Sequence, residues 1–158
     1  MAEMAEEKMA TSNTATQILL LKGAALWLLA ALLLAWCLVG LNLELAPLHA
    51  LFPGKPSRLL QAHLDYLLMS ALLFGFAAAG IGLPRLVAWA MVVGACTNSS
   101  LFLLMALFPH LDGPQPQADA WLQLFKLYTF ASIVTTSYGF GRAAWLLLTW
   151  TRQRPGRA

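Results

Sequence analysis

Three histidines, two cysteines and seven acids are all that this chain offers for metal, acid–base or nucleophilic chemistry. His63 is the histidine whose neighbours suggest a site. Helical spacing puts His63, Tyr66 and Ser70 on one stripe, at i, i+3 and i+7. Asp65 points to another face. An isolated histidine about four residues into a membrane helix reads either as an interfacial ring or as a haem or metal ligand. His49 and His110 stand beside prolines and read as exposed loop residues. Cys37 and Cys96 sit in apolar runs without a CxxC spacing and read as small buried apolar residues. Phosphate-cradling glycine loops, HExxH and Cys/His metal quartets are absent from the sequence. No carboxylate is placed to orient a histidine in a hydrolytic triad.

Two further polar groups fall where polarity is expensive. Cys96-Thr97-Asn98-Ser99-Ser100 lies midway along an apolar run. Its hydroxyls and small side chains suit helix–helix contact. The Asn98 amide needs several partners and suits either that contact or a polar pocket. Later, Tyr128, Ser132, Thr135, Gly139 and Arg142 form one helical face, with Thr129 and Thr136 beside it. Such a face must meet the bundle interior, a cavity or another subunit. Arg142 is expected to snorkel toward an interface.

The elements that carry these groups follow from composition. Of 158 residues, 59% are hydrophobic and 11% charged, against roughly a quarter charged in soluble domains. Mean hydropathy is +0.67. A soluble monomer and a disordered chain are both excluded. Net charge is +3, but the bases are scattered, so no nucleic-acid partner is expected. Four apolar segments, at about 18–41, 59–81, 86–108 and 124–150, each exceed the ~17 residues that cross a bilayer. They must be helical, because lipid offers the backbone no hydrogen-bond partner. The expected fold is an all-α four-helix transmembrane bundle over 18–150. A polar lead-in (1–17) precedes it and a basic tail (151–158) follows. The acidic start and long first apolar run do not suit a secretory signal peptide.

Proline and glycine mark the connections at 42–58, 80–84 and 109–120. With four spans, one side holds Lys8, Lys22, Arg85, Arg142, Arg152, Arg154 and Arg157. The other holds Lys55, Arg58 and Lys126. The positive-inside rule then puts both termini in the cytoplasm. A bacterial inner membrane is the expected location.

The stretch Ala62-His63-Leu64-Asp65 opens the second segment just after a Pro/Gly turn, and Thr97-Asn98 lies midway in the third. In these features the chain resembles the small four-helix membrane proteins of the styrene oxide isomerase and hydroxylaminobenzene mutase group. The resemblance implies a homotrimer that binds haem b, with His63 as axial ligand. It implies ferric iron acting as a Lewis acid on a small apolar, aromatic substrate. Asn98 would border the pocket, and Tyr128 is expected to help orient substrate or intermediate. Arg58, Lys55 and Lys126 are expected near the same membrane side, where they would pair with haem propionates. Two positions depart from the isomerases: Met69 stands where they carry an asparagine, and Phe102 where they carry a tyrosine. The acidic Asp65 brings the stretch closer to the mutase branch. With one suitable histidine, the iron would keep an open position, which suits Lewis-acid catalysis better than electron transfer. The alternative reading is a non-enzymatic bundle, an assembly subunit or permeation element.

Overall fold

The computed structural model describes residues 2–113 and 120–152, with side chains from 13 to 151. The Pro-rich stretch 114–119, the tail 153–158 with Arg154 and Arg157, and the side chain of Lys8 lie outside the described residues. The described elements are α1 (Ala2–Asn42), α2 (Ala46–Leu51), α3 (Pro56–Ala78), α4 (Arg85–Leu107), a 3-10 turn (Pro109–Asp112) and α5 (Ala120–Arg152).

The helices begin and end where backbone chemistry dictates. Pro56 takes the first position of α3, where its missing N–H costs nothing. Pro84 precedes α4. Gly80 has a φ of +64° and turns the chain after α3 in a conformation that side chains resist. Phe108 leaves the helical region directly before Pro109, as residues before proline do. The polar lead-in is continuous with the first apolar segment, so α1 runs unbroken for 41 residues.

Among the described residues, three helices are long and apolar enough to cross a membrane: Asn13–Asn42, Pro56–Ala78 and Arg85–Leu107. This chain is therefore read as an all-helical, multi-pass membrane protein. At 33 residues α5 is about 50 Å long, enough to cross. The hydroxyls of its middle, from Tyr128 to Ser137, dilute its apolar character.

α1 packs along α3, α3 along α4, and α4 along α5, with a lesser contact of α1 on α4. The buried residues form two clusters. One gathers Leu20, Ala24, Leu73, Ala77, Val87, Met91 and Ala143. The other, toward the opposite end, gathers Ala31, Leu34, Phe52, Leu59, Ala62, Tyr66 and Ala106. Alanine at Ala24, Ala31, Ala62, Ala88, Ala95 and Ala143 is wholly buried, which lets the helices approach closely. Gly54 docks its loop on the end of α4, its N–H donating to the Ala106 carbonyl at 2.9 Å. A Cβ there would stand 2.6 Å from the backbone oxygens of Met105 and Ala106.

Candidate functional site

The polar minority is distributed over three helix seams. In the first, α3 meets α1. The Nδ1–H of His63 donates to the Ala31 carbonyl at 2.8 Å; a carbonyl only accepts, so the proton sits on Nδ1. One heptad along, the Ser70 hydroxyl donates to the Ala24 carbonyl at 2.7 Å. His63 and Ser70 are seven apart along α3, and Ala31 and Ala24 seven apart in the opposite sense along α1, as antiparallel helices in register require. Trp27 on α1 reaches past this seam to α4, its indole N–H donating to the Val92 carbonyl 3.1 Å away.

In the second seam α3 meets α4. The Asn98 side-chain amide donates to the Asp65 carboxylate at 2.8 Å. Both residues are half-buried, inside helices fit to span a membrane. Tyr66 lies between the two seams. It stacks obliquely on Trp27 with ring centres 5.9 Å apart, and its hydroxyl donates to the Cys96 carbonyl at 3.5 Å.

In the third seam α4 meets α5. The Tyr128 hydroxyl lies 2.7 Å from the Ser100 hydroxyl and 3.4 Å from the Thr97 carbonyl. Ser132 donates to the Thr97 hydroxyl at 3.0 Å, and Thr136 to the Gly94 carbonyl at 3.0 Å. Two glycines make this closeness possible. A Cβ on Gly94 would stand 2.8 Å from the Thr136 Cα, and one on Gly139 would stand 2.7 Å from the Met91 nitrogen. The α5 stripe thus faces α4. Its members there are Tyr128, Ser132, Thr136, Gly139 and Ala143; Thr136 takes the place expected for Thr135, and Arg142 is exposed.

Arg58, in the first turn of α3, forms a clamp at the end of the spans with Lys55 and Asp112. The Arg58 guanidinium holds Asp112, and the Lys55 ammonium lies 3.0 Å from its other oxygen. Hydrogen bonds from Arg58 and then Lys55 pull the Asp112 carboxyl down to a pKa of about 2. The clamp ties the start of α3 to the turn after α4. Lys126 is exposed on α5.

A cavity of about 460 Å³ opens where α4, the 3-10 turn and α5 meet. Leu104, Phe108 and Leu111 form one wall; Trp121, Phe125 and Tyr128 form the other. His110 stands at it, its ring edge-on to Phe108 with centres 6.0 Å apart. His63 faces α1 and does not line this cavity.

The structure therefore sends His63, Asn98 and Tyr128 to three different seams of the chain. Sequence reasoning missed Asp65 as the partner of Asn98 and Asp112 as the partner of Arg58 and Lys55. For Asp112 a signal existed, since it is a lone acid beside a span end that carries two bases.

The donor chemistry at His63 suits an axial ligand. Metal-ligating histidines almost always give their other ring N–H to a carbonyl or carboxylate, as Nδ1 does here to Ala31. A neutral ring so held leaves Nε2 with a lone pair. Arg58 and Lys55 already hold Asp112, so they fit a propionate role less well. No group of three or more His, Cys, Asp or Glu that could hold a metal ion occurs among the described residues.

Fold and seams together define a class, the small multi-pass helical membrane proteins with a polar interior. No family model, curated protein or solved structure matches the chain.

Proposed function

We propose that this protein is a four-span membrane isomerase or mutase that holds haem b through His63 and rearranges a small apolar, aromatic substrate. The observation that carries the reading is the fixed ring of His63, with Nδ1–H on the Ala31 carbonyl and Nε2 left with a lone pair for a metal. His63 would hold the haem, which when bound would supply Lewis acidity for the rearrangement. The chain's own residues do the rest. Ala31 fixes the tautomer and the angle of the ring, and the half-buried seam limits water around it. Asp65 holds the Asn98 amide in one orientation through its Nδ2, leaving the amide oxygen to accept from a substrate. Ser100 fixes the Tyr128 hydroxyl in the same way.

Because these groups occupy different seams, a site that uses His63 together with Asn98 or Tyr128 forms between copies of the chain. The trimer implied by the resemblance supplies such copies. α5 crosses as the fourth span, with both termini on the cytoplasmic side of a bacterial inner membrane.

A second reading is a non-enzymatic assembly subunit. It is favoured by the local satisfaction of every seam: the α5 stripe bonds to α4, and His63 bonds to α1. The same closure speaks against that stripe lining a water path. The optical spectrum of the purified protein, expressed with ample haem, separates the two. A Soret band that shifts or is lost in His63→Ala is expected. A spectrum without that band, or one that His63→Ala leaves unchanged, overturns the haem reading and leaves the assembly subunit.

A further inference from the structure

Of the residues the proposed function uses, Tyr128 alone lines the cavity between the end of α4 and the start of α5, and neither reading fills that cavity. Its position, walls and polar bonding point to one kind of occupant. It lies at the end of α4, a helix fit to span a membrane, so it sits at the edge of the hydrocarbon layer. Its mouth opens sideways: Phe108 is 48% exposed, Trp121 70% and Leu124 57%. Leu127 and Phe130 continue the apolar face along α5 at 64% and 68% exposure.

The walls carry no acid, lysine or arginine; His110, an exposed residue, stands at the rim against Phe108. A pocket for a functionalised small molecule needs a few convergent polar groups to orient it. Here Tyr128, the one wall hydroxyl, is already engaged by Ser100 and the Thr97 carbonyl. An occupant with a polar group deep in the cavity would find no open partner and would lose its hydration. A bare hydrocarbon chain loses nothing. At about 460 Å³ the cavity is within the usual range of ligand pockets, and left unfilled it would deny its lining the dispersion contacts of a packed interior.

We propose that this cavity holds one acyl chain of a membrane lipid, wedged between α4 and α5 beneath the Pro109–Asp112 turn. The inference rests on the membrane reading and not on haem. It also means that this cavity is not the substrate site.

The test uses the full chain in phosphatidylcholine vesicles doped with a phosphatidylcholine that carries a photoactivatable diazirine on one acyl chain. After irradiation, adducts are mapped by peptide mass spectrometry. The comparison surface is the α1 flank at the same height, at Trp36 and Val39, 75% and 46% exposed. Adducts on residues 104–111 and 121–128 should exceed those on that flank by about tenfold, the ratio of a real binding preference. Leu124→Trp, at an exposed position that tolerates bulk, should bring them down to the flank level. Leu104→Trp fills the cavity from the other wall and should do the same. Equal labelling of cavity and flank overturns the proposal, and so does labelling that neither variant reduces. Displacement of the label by naphthalene while lipid is in excess also overturns it, in favour of a small aromatic ligand. His63→Ala should leave the labelling unchanged, which separates this result from the fate of the haem reading.

Discussion

Asp65 and Asn98 make the most consequential single contact among the polar residues. An acid inside a membrane-spanning helix is costly and is usually paired; here its partner is a neutral amide at 2.8 Å. Replacing Asn98 with leucine strands the carboxylate. The expected loss is about 1–3 kcal/mol of stability, the penalty for an unsatisfied buried polar group. Denaturant titration in detergent micelles measures it. Asp65→Leu combined with Asn98→Leu should cost less than the two single changes together, since removing both partners leaves no orphan. Asp112 belongs to a different regime, outside the spans. Its carboxyl is pulled from 3.8 to about 2 by Arg58 and Lys55. A depressed acid contributes stability above its unfolded pKa and loses it as pH falls through the folded value. The clamp should hold at pH 5 and loosen between about pH 4 and pH 2. Asp112→Asn should abolish that pH step, read as the protease sensitivity of the loop after α4.

At the scale of elements, the seam between α4 and α5 depends on two glycines more than on its hydroxyls. Without hydrophobic drive between helices in lipid, close backbone contact and interhelical hydrogen bonds supply the association. A side chain at Gly139 would meet the backbone of Ala90 and Met91, and one at Gly94 would meet that of Thr136. Gly139→Leu should push α5 away, break the Ser132–Thr97 and Thr136–Gly94 bonds, and cost about 1–3 kcal/mol as overpacking does. Crosslinking between cysteines at Thr97 and Ser132, whose hydroxyls are 3.0 Å apart, should be efficient in the parent and lost in Gly139→Leu. At this scale the sequence showed the stripe but placed Thr135 on it. The helical period allows Thr135 or Thr136 equally well, and the rotation set by Gly94 and Gly139 chose Thr136. The turns were easier to read, because Pro56, Gly80 and Pro109 act through their own backbone and need no neighbour.

For the whole molecule, the crossing of α5 sets the topology. A crossing α5 puts the positions of Lys8, Lys22, Arg85, Arg142 and Arg152 on one side and those of Lys55, Arg58 and Lys126 on the other, in accord with the charge bias. In a background of Cys37→Ala and Cys96→Ala, single cysteines at Asn13 and Thr151 should then react with an impermeant maleimide from the same side of sealed vesicles. Labelling from opposite sides would mean that three helices cross and α5 does not.

Composition and periodicity by themselves determined the class of this protein. So apolar a chain must be helical in lipid, its prolines and glycines must mark the turns, and its few polar residues must gather in the interior. They also singled out His63, Asn98 and Tyr128 as residues worth following. Only the tertiary structure decided which neighbour each one meets. It turned His63 toward Ala31, joined Asn98 to Asp65, bonded Tyr128 to Ser100 and gave Arg58 and Lys55 to Asp112. The physical reason is that the 3.6-residue period fixes the face a side chain occupies on its own helix. Which helix lies against that face is set by how closely the backbones approach, and that depends on alanines and glycines far away in the sequence.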